Sequence, residues 1–328
     1  MGDNIKVCIV GAGNWGYQHA RAFSGRDDVI LVGIAGRTAE RTQKRASEFH
    51  TKAYLDIDEM LDTEKPDLVS VCLPALETFE PTLKVMRKGY PLLVEKPLSY
   101  DLDSARVLID EADKRDLFFA IDFEQKYSIP CTMAMERIRK GNLGKIVYTN
   151  WRFGHGWSGK MKHPYTNLIE AQCHGIDLLE SMVGRITDVY SLMTDNGGRD
   201  SFSSFCIGLR YENGAIGSFL GTMDANEYNR LSQLIEIGGT DGRILIEDNV
   251  KRYSFQKTHH HTEEVWQAGF FKDEERSFNH DLDLYLEDMI SAFKKGLPPP
   301  VPATEGLRAL EIAYACIDSF KTGKVMKV

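Results

Sequence analysis

Three glycines directly after the first apolar run restrict what this chain can fold into more than any other feature. The run Ile5–Val10 has the length and composition of a buried strand, and Gly11-Ala12-Gly13-Asn14-Trp15-Gly16 follows it without a gap. In a strand–turn–helix unit the first glycine permits a tight turn, the second lets the backbone approach a phosphate, and the third lets helix and strand pack closely. The helix then presents unpaired N–H groups to an anion. We therefore predict a dinucleotide site that includes Gly11, Gly13, Asn14, Trp15 and Gly16.

The motif begins a longer alternation of short apolar runs and amphipathic stretches, which extends to about Asp122. The apolar runs are Ile5–Val10, Val29–Ile34, Asp67–Leu73, Pro91–Val94 and Leu117–Ile121. The helical stretches include Ala39–Phe49, Glu77–Lys88 and Leu102–Lys114. Strict alternation of this kind indicates βαβ crossovers and a buried parallel sheet. We predict that residues 1–123 form a Rossmann domain, a doubly wound α/β unit that binds a dinucleotide.

The second part of the chain has a different pattern, in which β runs dominate after a predicted helix near Ile129–Lys140. The runs are Lys145–Phe153, Asp188–Thr194, Ser204–Tyr211, Ala215–Gly221, Gln233–Ile237, Arg243–Glu247 and Lys251–Gln256. One helix, Leu168–Val183, interrupts them, and two helices near Asp281–Lys295 and Thr304–Thr322 follow. Turn-forming residues between the runs favour antiparallel pairing. We predict an α+β domain over residues 124–328 with a large open, mostly antiparallel sheet, and a last helix, about 304–322, that can pack back on the first domain.

Composition excludes several classes of function. A chain of 328 residues exceeds the size of a single hydrophobic core, and its net charge of −8 offers no basic surface to nucleic acid or anionic lipid. The first apolar run is too short for a signal peptide, and no run approaches the roughly 18–20 apolar residues that span a bilayer. The six cysteines form no C-x-x-C pair. We expect a cytoplasmic protein with reduced thiols and a small-molecule substrate, with no metal, nucleic-acid or membrane partner.

A lysine stands where a ligand would meet the predicted parallel sheet. The apolar run that ends at Val94 continues directly into Glu95-Lys96-Pro97. The carboxyl ends of parallel strands form the ligand-binding edge of an open α/β sheet, and a lysine there can donate to an oxygen whose charge changes during hydride transfer. An ordinary surface lysine is the alternative. We predict that Lys96 is functional, and that Leu73, Pro74, Glu95 and Lys96 contact the cofactor.

The predicted helix Leu168–Val183 carries a possible acid–base pair. Glu170, His174 and Asp177 are spaced i, i+4 and i+7, so they share one face. A carboxylate one turn from an imidazole can orient the ring and tune its basicity. A helix-surface histidine beside an i,i+4 glutamate accounts equally well for the spacing. No third residue suggests a metal site.

Together these motifs resemble the Gfo/Idh/MocA oxidoreductases, the group of glucose–fructose oxidoreductase and inositol 2-dehydrogenase. The likeness rests on the glycine motif extended to Gly16-Tyr17-Gln18-His19, on Glu95-Lys96-Pro97, and on the E-x-x-x-H-x-x-D helix in this order. It covers nearly the whole chain. It implies a Rossmann domain, an open-faced α+β domain and NAD(P)-dependent hydride transfer on the CH–OH group of a sugar or polyol.

The resemblance also implies roles for individual residues. Lys96 matches the catalytic lysine, and His174 matches the histidine at the substrate carbinol. Glu170 takes the place of the usual Asp, and Gly36 stands where members that prefer NAD carry an acid. We predict that His174 is the general base, with Lys96 polarising the same oxygen and Glu170 holding the imidazole tautomer.

Two aromatic residues are further candidates for the substrate site. Some family members use a tyrosine near Tyr165 as a proton donor, although a partly buried loop aromatic explains this residue as well. Trp157 lies in a glycine-rich segment, where its ring could stack on a sugar or simply anchor the loop. The predicted substrate-binding residues are Lys96, Trp157, Tyr165, Glu170 and His174.

The segment after the second predicted strand favours NADP(H) over NAD(H). In a Rossmann fold a residue about 20 positions after the last glycine meets the adenine ribose, and an acid there repels a 2′-phosphate. This chain has Gly36, followed by Arg37, Thr38 and Arg41, which can donate to a phosphate. Alternatively, Arg37 stacks on adenine and either cofactor is accepted.

Two alternative functions, and a prediction of the oligomeric state, are considered from the same features. A redox-neutral glycosidase or dehydratase would keep its cofactor bound and regenerate it on each turnover. A non-catalytic cofactor-sensing regulator would be expected to lack Lys96 and His174, which are both present. An open sheet must hide its uncovered face, so we predict a homodimer or homotetramer through the C-terminal sheet, which includes Ser204–Tyr211 and Ala215–Gly221.

Overall fold

The computed structural model describes residues 4–157, 161–225, 231–269, 271 and 277–328. Its described residues divide into two compact units. The first contains the chain up to Phe123 together with Leu282–Leu310, and the second contains Glu124–Asp281 and Glu311–Val328. Residues from the 282–310 segment group with the first unit because Val301 and Ala303 exchange backbone hydrogen bonds with Ile121 and Phe119, at 3.1 and 3.0 Å.

The first unit contains a six-stranded parallel sheet in the order β3-β2-β1-β4-β5-β6. The strands are β1 (Ile5–Val10), β2 (Val29–Ala35), β3 (Lys52–Tyr54), β4 (Leu68–Val71), β5 (Leu92–Glu95) and β6 (Phe119–Asp122). The order reverses between β1 and β4, so the carboxyl ends of these two strands flank the crevice where doubly wound sheets bind ligands. The predicted Rossmann sheet is confirmed.

The helices of the first unit connect its parallel strands. They are α1 (Asn14–Ser24), α2 (Ala39–Glu48), α3 (Ile57–Glu64), α4 (Phe79–Arg87) and α5 (Leu102–Lys114). Sequence analysis missed β3 and α3 because both are short. Asp56 could have indicated the start of α3 from the sequence, because aspartate is a preferred N-cap residue. Its side chain accepts a 2.9 Å hydrogen bond from the Glu59 N–H.

The second unit contains a nine-stranded sheet in the order β14-β13-β12-β11-β7-β10-β9-β8-β15. Its strands are β7 (Ile146–Gly154), β8 (Ile186–Thr194), β9 (Ser204–Tyr211), β10 (Ile216–Thr222), β11 (Gln233–Gly239), β12 (Gly242–Glu247), β13 (Arg252–Lys257), β14 (Glu263–Gln267) and β15 (Met326–Lys327). Among the described pairs, β7–β10 is parallel and the others are antiparallel, which confirms the mostly antiparallel prediction.

Four further helices complete the described chain: α6 (Ile129–Arg139), α7 (Cys173–Val183), α8 (Phe278–Lys294) and α9 (Thr304–Thr322). The predicted single helix Leu168–Val183 is wrong. A π-helical turn, Asn167–Ala171, comes first, and α7 begins after Gln172. None of the helices in the described ranges has the length and apolar character needed to cross a membrane.

A buried carboxyl group in α8 gives a pH-dependent stability prediction. Asp281 is 2% exposed and accepts a 3.3 Å hydrogen bond from the Asn249 side chain. Burial raises the pKa of Asp281 from its ordinary 3.8 to about 8, and the hydrogen bond offsets only part of that effect. The folded state therefore binds the proton more tightly than the unfolded state, and stability falls as pH rises from about 4 to about 8.

Asp281→Asn is expected to raise the free energy of unfolding on the order of 2–4 kcal/mol at pH 8 and much less at pH 5. The reason is that the amide carries no charge to bury. Thermal unfolding at the two pH values measures the difference. Asp283→Asn, at a partly exposed residue paired with Arg21 at 2.7 Å, is the control. An equal effect of Asp281→Asn at both pH values would contradict the prediction.

Candidate active site

The glycine motif forms the turn between β1 and α1, and its glycines have different local roles. Gly11 has φ of +129°, and a Cβ on it would overlap the Cys72 carbonyl at the end of β4. A Cβ on Gly16 would overlap the Gly11 carbonyl oxygen. By contrast, a Cβ on Gly13 would meet no atom within 4 Å. Gly11 and Gly16 are therefore required by packing, while the open space at Gly13, beside the start of α1, suits an approaching pyrophosphate.

A cavity of about 420 Å³ lies at this edge of the sheet. The predicted cofactor residues that line it are Gly11, Gly13, Arg37, Thr38, Arg41, Leu73 and Pro74. The described lining does not include the other predicted residues, Asn14, Trp15, Gly16, Glu95 and Lys96. Gly16 packs against Gly11, and the Glu95 side chain is 5% exposed and directed into the interior. The glycine-lined opening and the two arginines fit a dinucleotide phosphate group.

The backbone at the end of β2 is closely packed. A Cβ on Gly36 would lie 2.5 Å from the Thr42 hydroxyl and 3.0 Å from the Ala12 Cβ. Packing against Thr42 therefore disfavours an acidic side chain at this position. Arg37 is largely exposed, and its guanidinium forms a 2.6 Å ion pair with Glu77, which also lines the cavity.

Lys96 directly follows a buried polar cluster at the ends of three strands. The His19 ring on α1 has Nδ1 2.9 Å from the Ser70 hydroxyl, and its Nε2 lies 3.0 Å from Glu95 Oε1 and 3.1 Å from Asp122 Oδ2. Burial alone would lower the pKa of His19, but Cys72, Asp122 and Glu95 outweigh it and raise that pKa well above its usual range. Sequence analysis missed this cluster, although Glu95 and Asp122 each end a predicted parallel strand.

His174 lies in the first turn of α7 and is 6% exposed. Its Nδ1 is 3.8 Å from Oε2 of Glu124, a buried carboxylate two residues after β6. Sequence analysis missed Glu124 as a neighbour of His174. Glu170 lies in the π-helical turn that precedes α7, and its predicted pairing with His174 stays a prediction.

Packing against β7 determines where α7 begins. The buried Gln172 accepts a 2.9 Å hydrogen bond from Trp151 Nε1 and donates to the Phe153 carbonyl at 3.2 Å. A Cβ on Gly175 would overlap the Trp151 ring, so helix and sheet are in close contact there. His174 lies between Gln172 and Gly175 in the chain, so these contacts hold it in place.

Asp177 forms a buried ion pair and has a structural role. It is 5% exposed, and its Oδ1 accepts a 2.8 Å hydrogen bond from Lys126 Nζ, which also donates to Ser181 at 3.2 Å. A buried ion pair of this kind would be strongly destabilised by loss of either partner. It fixes α7 against the turn that carries Glu124.

The two aromatic candidates have different surroundings. Tyr165 is half-buried and stacks on Phe202, with ring centroids 5.3 Å apart. Burial and the nearby Asp318 raise the pKa of the Tyr165 hydroxyl, so it stays protonated at neutral pH. Trp157 is 43% exposed, and its carbonyl accepts a hydrogen bond from Arg199.

Comparison with known families accounts for almost all of the chain. The oxidoreductase family with an NAD-binding Rossmann fold, GFO_IDH_MocA, matches residues 5–123, and the C-terminal alpha/beta domain of the same family matches residues 135–328. This chain belongs to the Gfo/Idh/MocA oxidoreductase family. Membership confirms the predicted resemblance and the prediction of an NAD(P)-dependent oxidoreductase.

Individual relatives span the full length of the chain. A myo-inositol 2-dehydrogenase from Thermotoga maritima is 24% identical in an alignment that covers 99% of this chain and 98% of that protein. A levoglucosan dehydrogenase in complex with NADH and levoglucosan has a TM-score of 0.89 at 18% identity, covering 99% of this chain and 100% of that one. An oxidoreductase from Desulfitobacterium hafniense, described as NADPH-dependent, has the same TM-score and identity, with 100% and 98% coverage. These structures establish the fold.

Proposed function

We propose that this family member transfers a hydride between a nicotinamide dinucleotide and a carbinol or carbonyl of a sugar, polyol or related small molecule. The observation that carries the proposal is the glycine-lined cavity at the β1–β4 crevice. Lys96 at the end of β5 and the buried His174–Glu124 pair add the groups that hydride transfer needs. Relatives named as dehydrogenases of inositol and levoglucosan support this class of substrate.

In the proposed reaction, the bound nicotinamide supplies a two-electron acceptor or donor. During oxidation, His174 takes the hydroxyl proton while the hydride leaves the carbinol carbon, so a carbonyl is produced. Lys96 donates a hydrogen bond to the same oxygen and stabilises its developing charge. Glu124 and Glu170 are carboxylates that can orient the imidazole and stabilise its protonated form. In reduction the same groups return the proton.

Trp157 and Tyr165 are proposed to bind substrate. The exposed Trp157 ring offers an apolar face to a sugar ring. Tyr165 keeps its proton at neutral pH, so it suits a hydrogen-bond donor to a substrate hydroxyl better than a base. Neither residue is assigned the proton transfer itself.

The proposed function is tested by a scan of sugars, polyols and their keto forms with NADP(H) and NAD(H), followed by absorbance of the reduced nicotinamide. We expect stoichiometric change of the nicotinamide with at least one such substrate. Turnover with a tightly bound cofactor and no net change would instead indicate the redox-neutral glycosidase or dehydratase reaction. Cofactor binding without turnover across the scan would favour a sensing role.

The preference for NADP(H) is also a proposal. Arg37, Thr38 and Arg41 line the cavity, and packing around Gly36 disfavours an acid that would repel a 2′-phosphate. The ion pair between Arg37 and Glu77 implies a competition, because the phosphate must replace Glu77 as the partner of Arg37. A ligand without the phosphate leaves that pair intact.

Arg37→Ala is expected to weaken NADPH binding roughly ten- to a hundredfold and NADH binding much less, since a charge-assisted contact is lost only with the phosphate. Glu77→Gln is expected to tighten NADPH binding by about a few-fold, because an exposed ion pair contributes little. Fluorescence titrations of both cofactors measure the dissociation constants. Arg26→Ala, at a residue paired with Asp28, is the control. Tighter binding of NADH than NADPH to the wild type would contradict the assignment.

The outer face of the nine-stranded sheet supports the proposed assembly. Leu192, Cys206 and Leu220 are cross-strand neighbours on β8, β9 and β10, and all three are exposed. Ile216 and Tyr190 extend this apolar face, and are 57% and 42% exposed. Apolar patches of this kind on a soluble chain typically mark an interface. We propose a homodimer or homotetramer of identical chains through this face.

Leu220→Glu is expected to shift the oligomer toward monomer, because a charge would be buried in the interface. Light scattering coupled to size exclusion at low micromolar concentration gives the mass. Leu297→Glu, at an exposed leucine in the first unit, should leave the mass unchanged. A monomeric wild type would overturn the proposed assembly.

The six cysteines are all free thiols. Burial raises the pKa of Cys8, Cys131 and Cys316 to about 12, so these three thiols are poor nucleophiles at neutral pH. Free thiols are typical of a reducing compartment, and they support the proposed cytoplasmic location.

A further inference from the structure

We propose that His19 is a positioning residue for Lys96, a positively charged imidazole that holds the ends of β5 and β6 together through Glu95 and Asp122. The inference rests on the proposed role of Lys96 in hydride transfer. It concerns residues that contact neither of the proposed reacting atoms.

The two carboxylates are placed side by side by the sheet itself. Glu95 and Asp122 are the last residues of β5 and β6 and are register partners across these parallel strands. Their exposures are 5% and 1%, so solvent screens neither. Like charges this close in a buried site repel strongly. Without a cation between them, the strand ends would separate or one carboxylate would take up a proton.

His19 occupies the place where that cation is needed. Its Nε2 is hydrogen-bonded to Glu95 Oε1 at 3.0 Å and lies within ion-pair distance, 3.1 Å, of Asp122 Oδ2. The ring is fully buried, and its other nitrogen lies 2.9 Å from the Ser70 hydroxyl. A neutral ring would leave two buried negative charges, whereas an imidazolium reduces the net charge of the three groups to −1.

The other ionisable groups around the ring are consistent with this charge. Cys72, the residue after β4, interacts electrostatically with His19, and Lys96 interacts favourably with Glu95. Burial, together with Asp122, raises the pKa of Glu95 despite the hydrogen bond from His19. The cluster is therefore crowded with negative charge, and the imidazolium relieves it.

The consequence for Lys96 follows from the covalent chain. Lys96 is the residue after Glu95, so a movement of the Glu95 side chain and backbone displaces the lysine directly. Displacement of a reacting group by about 1 Å can cost on the order of 10²-fold in rate. Cys72, which contacts this cluster, also lines the cofactor cavity. Its carbonyl packs closely on Gly11, so we expect Cys72 to stay in place when His19 is replaced. Loss of His19 should therefore affect turnover more than cofactor affinity.

The kinetic test is a charge-compensation cycle. His19→Gln is expected to lower kcat about 10²-fold while the dissociation constant of NADPH changes less than about threefold. The double variant His19→Gln, Asp122→Asn should have a kcat at least about tenfold higher than that of His19→Gln, because one carboxylate no longer needs a counter-charge. Asp122→Asn alone should be mild. Absence of any rescue would overturn the proposal.

A second measurement does not depend on activity. The chain has nine histidines, and the ¹⁵N resonances missing from His19→Gln identify those of His19. We expect these resonances to show the imidazolium pattern at pH 7, where a free imidazole is mostly neutral. A neutral pattern at pH 7 would overturn the charge assignment. A stoichiometric metal ion that is bound by the wild type and lost in His19→Gln would also overturn the charge assignment, because the metal would then be the cation between the carboxylates. The His261→Gln variant, in an exposed turn, is the control.

These readouts separate the two proposals. If no substrate is turned over, the proposed function fails, but the charge of His19 can still be tested without activity. The ¹⁵N resonances test it directly. A higher thermal stability of the His19→Gln, Asp122→Asn double variant than of His19→Gln alone tests it a second time. If His19→Gln does not fold, folding of the His19→Gln, Asp122→Asn double variant supports the proposal. Failure of the double variant where Asp122→Asn folds normally counts against it.

Discussion

His174→Asn is expected to lower kcat for substrate oxidation by 10²–10⁴-fold, because the proton would leave the carbinol oxygen without a general base. The dissociation constant of the cofactor should change little, since His174 is not among the described residues that line the cofactor cavity. A pH profile adds a specific signature. Wild-type oxidation should slow in acid, where a protonated imidazole cannot accept a proton, and the variant should lose that acid limb.

Lys96→Met should reduce kcat over the same range, because it removes the donor that stabilises charge on the substrate oxygen while keeping a side chain of similar length. Lys251→Met and His261→Gln, at exposed residues, are the matched controls. Single-turnover measurements with bound cofactor separate hydride transfer from product release. Near-complete turnover in His174→Asn would move the base role to Tyr165 or Lys96.

Gly16→Ala is expected to lose both cofactor binding and stability. The added Cβ would overlap the Gly11 carbonyl, so α1 and the β1 turn must separate. Overpacking of this kind typically costs about 1–3 kcal/mol, and distortion of the phosphate-binding turn should weaken the cofactor on the order of 10²-fold. Thermal unfolding without cofactor and titration with NADPH measure the two effects.

Gly13→Ala provides the matched comparison. A Cβ at this position meets no atom within 4 Å, so the cofactor-free protein should unfold at nearly the same temperature as wild type. Cofactor binding should nevertheless weaken, because the methyl group would occupy the space of the pyrophosphate. Equal loss of apo-protein stability in both variants would contradict the assignment of Gly13 to ligand and Gly16 to packing.

The sequence alone was sufficient for features that depend on neighbouring residues. The strand Ile5–Val10, the glycine turn and the start of α1 are encoded within 12 residues, and the structure confirms this unit. The strict alternation of apolar runs and helices was enough to predict a parallel sheet. The position of Lys96 after β5 followed from the same reasoning. Its catalytic role, like those of His174, Glu170 and Tyr165, stays a prediction.

Only the tertiary structure decided which distant side chains meet. Glu124 lies beside His174 because a turn after β6 packs against the start of α7, 50 residues later in the chain, and the i,i+4 pattern pointed instead to Glu170. The junction between the π-helical turn and α7 is held by the hydrogen bond from Trp151 to Gln172. His19, Glu95 and Asp122 converge through the pairing of β5 with β6 and the packing of α1. Such contacts depend on strand register and close packing, which local periodicity does not encode.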